Sequence, residues 1–149
     1  MCSSGSNIVV DDGRIHVLKH VLNITSPSAP VNFPYLGVGS GVTAAVATDT
    51  TLQTELTGNA TRKTLLNVSA LPFTDSDIVF EISGSTRWKV IAQATFPDVD
   101  GNNGSVFSEY GLFSTNVFAT GKMYDRFVSP SPFTKSGSLS VVVNVTLRA

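Results

Sequence analysis

Residues 88–96 read Trp-Lys-Val-Ile-Ala-Gln-Ala-Thr-Phe, and residues 139–147 read Leu-Ser-Val-Val-Val-Asn-Val-Thr-Leu. In each stretch one set of alternate positions is apolar. These positions are Trp88, Val90, Ala92, Ala94 and Phe96 in the first stretch, and Leu139, Val141, Val143, Val145 and Leu147 in the second. Because successive side chains of a strand point to opposite faces, both stretches predict β-strands with one face toward a core.

The composition of the whole chain favours the same structure. Its 149 residues include 19 Val, 6 Ile and 16 Thr, the β-branched residues that are enriched in strands. Further strands are expected at residues 35–38, 60–71, 78–83, 105–113 and 116–128, with turn clusters between them. One helix is expected, because Asp49 can cap a segment in which Leu52 and Leu56 lie one turn apart. The sequence therefore predicts an all-β fold, a β-sandwich or jelly roll, with one short helix near residues 49–56.

The chain divides into an arm and one domain. Residues 1–13 are polar and end in Asp11-Asp12-Gly13, which predicts a flexible N-terminal arm closed by a turn. Residues 14–149 contain neither an internal repeat nor a linker, and we expect a single β-sandwich domain. Within it, residues 14–25 predict a strand whose apolar parity breaks near Leu18, and the prolines of residues 26–34 predict an extended connection.

The charge balance limits the possible partners. Charged residues make up 14% of the chain and the formal net charge is −1, so nucleic acid is not expected as a main partner. Since 42% of the residues are hydrophobic, we expect part of the surface to be buried against other subunits. No apolar run reaches the roughly 18–20 residues of a membrane-spanning helix, so no membrane is expected.

Cys2 is the only cysteine, which excludes an internal disulfide. The N-terminus lacks the basic and apolar regions of a signal peptide, which predicts synthesis in a cytoplasm.

Two short motifs have the residue types of a binding site. The glycines Gly37, Gly39 and Gly41 lack the spacing of a phosphate-binding loop, and we expect a turn or bulge with positive φ there. His16 and His20 lie four residues apart, but in a strand-like segment with no third ligand nearby. Ordinary surface or interface histidines are therefore favoured over a zinc site.

The segment that begins at Asp98 resembles a calcium loop in part. Asp98, Asp100, Asn102 and Glu109 occupy positions 1, 3, 5 and 12 of such a loop, but Asn103 stands where a glycine is required. A polar hairpin loop is favoured, and a calcium site remains the alternative.

Catalytic chemistry is not expected. No grouping of Ser, His and carboxylate stands out, and the chain has only two His and three Glu. We therefore predict that the protein is not an enzyme and has no catalytic, cofactor-binding or metal-binding residues and no cofactor.

Two stretches together resemble a known family. The first is Tyr35-Leu36-Gly37-Val38-Gly39-Ser40-Gly41, followed by residues 49–55 and Arg62. The second is Glu109-Tyr110-Gly111-Leu112-Phe113, followed by Gly121-Lys122-Met123-Tyr124-Asp125-Arg126 and by Lys135. Over about residues 35–148 this order is similar to the capsid decoration (cement) proteins of tailed bacteriophages. Within the second motif, Glu109 and Arg126 are placed to pair across neighbouring strands, and Gly111 permits a bend.

The resemblance implies a structural virion protein without an active site. Such a protein is typically a homotrimeric β-sandwich on the outer capsid surface, where it bridges and stabilises neighbouring major capsid proteins, and it is made in the cytoplasm of the bacterial host. We expect the arm of residues 1–14 and the connection of residues 26–34 to contact the shell.

Two other functions remain open. A similar order of motifs also occurs in N-terminal domains of phage tail-fibre proteins, so a tail-fibre or baseplate attachment module is the main alternative. A carbohydrate-binding jelly roll is less favoured, since its sites usually offer exposed aromatic rings and the only Trp, Trp88, lies on the apolar face of its predicted strand.

Overall fold

A computed structural model describes residues 8–22, 32–57, 62–81, 87–98 and 104–148. It contains eight strands and one α-helix: β1 (Ile8–Val9), α1 (Asp11–Leu22), β2 (Tyr35–Gly39), β3 (Lys63–Thr64), β4 (Val79–Glu81), β5 (Arg87–Phe96), β6 (Val106–Phe113), β7 (Met123–Thr134) and β8 (Val141–Arg148). A single 3-10 turn at Asp75–Asp77 precedes β4. The predicted all-β class is confirmed.

The strands form two antiparallel sheets. The five-stranded sheet has the order β1-β7-β6-β2-β3, and the three-stranded sheet has the order β4-β5-β8. The two stretches with alternating apolar residues pair with each other, from Lys89 with Arg148 to Phe96 with Val141. Ala92, Ala94 and Phe96 are buried while Thr95 is exposed, so the period of two in β5 marks its core face as predicted.

Most of the core lies between the two sheets. Its buried members come from both sides and are Leu36, Val38, Leu65, Ala92, Ala94, Phe96, Phe107 and Leu112. The alternate apolar residues of β8 pack against this cluster but are only partly buried. A second, smaller cluster, made of Val10, Leu52, Phe113 and Met123, lies on the other face of the five-stranded sheet. This sheet is therefore covered on both faces.

A break in the pairing of β6 with β7 allows β6 to contribute side chains to both clusters. The pairing of β6 with β7 jumps from Phe107–Phe133 to Glu109–Val128, so residues 129–132 stand opposite Ser108 alone. Phe107 packs edge-on against Phe96 in the main core, with ring centroids 5.5 Å apart. Regular alternation would place Glu109 on the same face as Phe107. The break allows Glu109 to lie on the opposite face, beside the second cluster.

The chain crosses from one sheet to the other just after β3. Leu65 donates its N–H to the carbonyl of Pro34, 2.8 Å away, next to the five-stranded sheet. The following residue, Leu66, exchanges two backbone hydrogen bonds of 2.8 and 2.9 Å with Gln93 in β5. Two consecutive residues thus tie the two sheets together at this edge.

The helix is in a different place from the predicted one. Residues 11–22 form α1, although residues 14–25 were expected to be a strand and residues 11–13 the end of a flexible arm. Asp11 and Asp12 lie in the first turn, where negative charge favours a helix. The buried side of α1 includes Gly13, which lies against Tyr124 of β7, and His16. Tertiary packing, which local periodicity does not reveal, therefore selects the helix.

Residues 49–56 form turns instead of the predicted helix. The N–H groups of Gln53 and Thr54, which a helix would direct to carbonyls four residues back, point to the side chain of Glu109 in β6. A contact with a residue 55 positions away thus replaces the local hydrogen bonds on which the helix prediction depended.

Other predicted strands differ in their bounds. Within residues 60–71, only Lys63–Thr64 is a strand among the part that the structure describes, and residues 116–122 form a loop before β7. Leu139 is exposed and lies before β8, although it was expected to face inward. The expectations for residues 1–7, for most of residues 26–34 and for residues 99–103 lie outside the described residues, as do those for the side chains of Trp88, Leu18 and His20.

The side chain of Tyr110 makes the stability of the fold decrease at alkaline pH. Its ring stacks on Phe127 at 5.9 Å, and burial raises its pKa from 10.0 to about 12. Because the folded pKa is the higher one, its contribution to stability is complete below pH 10 and is lost as the pH rises toward 12. We expect Tyr110→Phe to flatten the fall in the free energy of unfolding over that interval, measured by urea titration. An unchanged slope would contradict this assignment.

Candidate functional site

Two buried charged residues lie together on the outer face of the five-stranded sheet. Glu109 and Arg126 project from β6 and β7 on the face where residues 40–57 cover the sheet. Both side chains are almost completely excluded from solvent, with relative exposures of 0% and 2% for the two residues. Charged groups are seldom buried unless they are paired. Both side chains have hydrogen-bond and ion-pair partners that compensate for their burial.

Glu109 accepts hydrogen bonds from three backbone amides of the covering loop. Its Oε1 accepts from the N–H of Gly41 at 3.0 Å and from that of Thr54 at 2.6 Å, and its Oε2 accepts from the N–H of Gln53 at 2.9 Å. Arg126 supplies the counter-charge, since its Nε lies 2.9 Å and its Nη2 2.8 Å from Oε2. The carboxylate therefore holds the covering loop on the sheet.

Arg126 extends the network to a second carboxylate. Its Nη1 donates to Oδ2 of Asp49 at 2.9 Å, and the same oxygen accepts the N–H of Val46 at 2.9 Å. Asp49 thus closes a turn at residues 46–49 instead of capping a helix. One guanidinium joins β6, β7 and the covering loop.

Gly39 and Gly41 are required by the approach of Glu109. A Cβ at either position would lie 2.5 Å from Oε1 of Glu109, closer than side-chain atoms are found. A positive φ was expected in this motif, but the only glycines with positive φ among the described residues are Gly104 and Gly121. The expectation of a positive φ was therefore wrong. Glycine is needed at these positions because Glu109 packs closely against the backbone, and not because the chain forms a left-handed turn.

Arg62 forms a second buried ion pair. Its Nε and Nη2 donate to the two carboxylate oxygens of Glu55 at 2.7 and 3.0 Å. Its Nη1 donates to the carbonyls of Thr115 and Thr120, and its guanidinium stacks on the ring of Phe113 at 3.4 Å. This side chain connects the covering loop to the loop between β6 and β7.

The predicted pairing of Glu109 with Arg126 is confirmed. The carboxylate is used for this pair and for the covering loop, so Glu109 does not serve as the twelfth position of a calcium loop. Asp49, Glu55 and Arg62 were not predicted to belong to the network. Glu55 and Arg62 both belong to the first family motif and have opposite charges. This is the signal in the sequence from which their pairing could have been predicted.

The remaining candidates do not assemble a reactive site in the part of the chain that the structure describes. His16 was expected at the surface or an interface, but it is buried within the chain, where its ring packs on Phe33 with the centroids 5.8 Å apart. Within these residues no group of three or more His, Cys, Asp or Glu side chains could hold a metal ion. No helix among them is long and apolar enough to cross a membrane.

Lys135 is an unusual buried cation. Its backbone pairs with Ser105 and Gly104, and its side chain is completely excluded from solvent. Among the residues described, no hydrogen-bond partner reaches its Nζ. An ammonium group without a partner in such a place costs free energy relative to an apolar side chain.

Residues 67–81, which we call the apolar segment, comprise a surface loop and the short strand β4. Oδ1 of Asn67 accepts the N–H groups of Ser69 and Leu71, and its Nδ2 donates to Asp77 at 3.2 Å. Asp77 also accepts the N–H of Thr74 at 2.7 Å, and this backbone hydrogen bond lowers the pKa of its carboxyl group. Side-chain hydrogen bonds of Asn67 and Asp77 therefore fix the loop.

The apolar segment displays large hydrophobic side chains to solvent. The exposed ones are Val68, Leu71, Phe73, Ile78, Val79 and Phe80, with relative exposures between 42% and 62%. The segment contains three acidic residues, Asp75, Asp77 and Glu81, and no Lys or Arg. Single exposed hydrophobic residues are common, but six within fifteen residues mark the apolar segment as a candidate for contact with another macromolecule.

Comparison with protein-family models, with curated proteins and with solved structures finds no match to this chain.

The buried network predicts a strong effect of Arg126→Met. The substitution leaves Glu109 buried without its cation, which should lower the free energy of unfolding by about 3–5 kcal/mol in urea titration. The matched control is Arg14→Met, because Arg14 contacts Asp11 at 3.9 Å with both side chains exposed. This change should cost less than about 1 kcal/mol. Equal effects of the two substitutions would refute the role of the network.

Lys135, whose Nζ has no hydrogen-bond partner among the described residues, predicts the opposite effect. Lys135→Met keeps the volume and removes the buried charge, which should raise the free energy of unfolding by roughly 1–3 kcal/mol. Lys122→Met serves as control, since Lys122 is exposed and pairs with Asp12 at 3.0 Å. A lower stability of Lys135→Met would establish that the ammonium group has a partner that matters.

Proposed function

We propose that this chain is a structural virion protein that decorates and stabilises the mature capsid of a tailed bacteriophage by bridging major capsid proteins. It would be made in the cytoplasm of the bacterial host and act on the outer capsid surface. The family resemblance of the two sequence motifs supports this function. It would be a binding function without catalysis, and its partner would be a protein surface.

The observation that carries the proposal is the apolar segment. A decoration protein needs a surface that is exposed before assembly and loses little entropy when it binds. Residues 67–81 have both properties, because hydrogen bonds of Asn67 and Asp77 hold them while their apolar side chains face solvent. The absence of basic residues in the segment favours a partner surface that is apolar with Lys or Arg at its rim.

The buried network supports the same function in a second way. Glu109 and Arg126 are both engaged in holding the covering loop, so their charges serve the fold. A capsid-binding protein needs rigid loops and no reactive groups. The resemblance also predicts a homotrimer, which remains a proposal about the assembled state.

A binding experiment tests this function. Undecorated mature heads of the phage that encodes this chain are mixed with the purified protein, sedimented and imaged. We expect the protein to bind over the head surface. Density only at the tail would support a tail-fibre or baseplate module, and no binding to either structure would overturn the proposal.

The apolar segment supplies the matched variants. Leu71→Ser combined with Phe73→Ser should weaken binding by about tenfold or more, because about 1.4 kcal/mol of apolar contact corresponds to that factor in Kd. The control combines Val117→Ser with Phe118→Ser, two residues of comparable exposure in the loop before β7. Binding that falls equally in both double variants would contradict the assignment of the surface.

A further inference from the structure

Strand β8 is an edge strand of the three-stranded sheet that the structure describes. Its eight residues pair with β5 in an unbroken register, and no other strand pairs with β8 in the described parts of the chain. The edge of a sheet presents a row of backbone N–H and C=O groups that can pair with another strand. Proteins commonly block such edges with proline, charged side chains, irregular register or short strands.

The other edges show these protective features. Strands β1, β3 and β4 are two or three residues long. Strand β7 pairs with β1 only at Asp125 and Arg126, and its register with β6 is interrupted at residues 129–132, which include Pro130 and Pro132. Little regular backbone is offered to a partner at these edges.

Strand β8 is long, has an unbroken register and contains no proline, and its one charged residue, Arg148, stands at its end. Its sequence, Val-Val-Val-Asn-Val-Thr-Leu-Arg, contains no Pro, Gly, Lys, Asp or Glu. Its core-facing residues Val143 and Val145 are only partly buried, whereas Ala92 and Ala94, their neighbours in β5, are about 1% exposed. A strand added beside β8 would complete the burial of this apolar row.

We propose that β8 pairs antiparallel with β8 of a second copy of this chain, about a two-fold axis near Asn144. The two three-stranded sheets would then form one six-stranded sheet across an isologous interface. This pairing does not rest on the proposed capsid function, and it is an alternative to the homotrimer that the resemblance predicts.

The sequence of β8 is complementary to itself in this arrangement. With the axis at Asn144 or Val145, apolar residues of the core-facing row meet apolar residues, and Asn144 meets either its own copy or Thr146. The only charged residue, Arg148, stands at the end of the strand. In the antiparallel pair the two arginines are separated by about 20 Å or more, beyond the Debye length at physiological salt. No like charges oppose the contact.

Sedimentation equilibrium of the isolated protein tests the pairing. We expect a mass of twice 15.7 kDa at micromolar concentration. Asn144→Lys places a charge on the exposed face of β8, where the two copies meet, and should weaken the dimer by about tenfold or more. Thr95→Lys is the control, because Thr95 is also exposed but lies on the central strand β5. This variant should remain dimeric.

Amide hydrogen exchange gives a second measurement that does not require a variant. Alternate amides of β8 point away from β5, and they should exchange more slowly when the protein concentration is raised. A monomer at micromolar concentration, a trimer, or a dimer with unchanged exchange in β8 would overturn the proposal. A dimer that Asn144→Lys and Thr95→Lys weaken equally would also overturn it.

Discussion

The carboxylate of Glu109 is the constraint on which the arrangement of this protein depends. It is buried, so it must have hydrogen-bond donors and a positive charge within reach. The amides of Gly41, Gln53 and Thr54 and the side chain of Arg126 meet these needs. As a result residues 40–57, which contain no regular element besides one isolated bridge, have a fixed path over the sheet.

This requirement also explains why local sequence patterns predict some elements of the fold and miss others. The alternation in β5 and β8 is a local pattern imposed by a core on one side, and it predicted both strands. The helix expected near residues 49–56 rested on local signals as well, but its amides are bound by a distant carboxylate. Conversely, α1 has a weak local pattern and depends on packing of Gly13 and His16 against other elements.

Part of this network of buried charges could be predicted from the sequence. Two residues of opposite charge on adjacent strands predicted the pairing of Glu109 with Arg126, because cross-strand neighbours interact. Arg62 and Glu55 pair through loops whose course the sequence does not indicate. The glycines near residue 40 were recognised as special, but their purpose depends on how closely Glu109 approaches their backbone, which only the tertiary structure reveals.

The crossing of the chain at Leu65 and Leu66 has a mechanical consequence. β-Sandwiches are held mainly by side-chain packing between sheets, which resists separation more than sliding. Here adjacent residues are hydrogen-bonded to different sheets, one through Pro34 and the other through Gln93. Shear of one sheet over the other at this edge must release either the attachment of Leu65 or the two hydrogen bonds of Leu66 with Gln93. Load applied to one sheet is therefore transmitted to the other through the backbone between these residues.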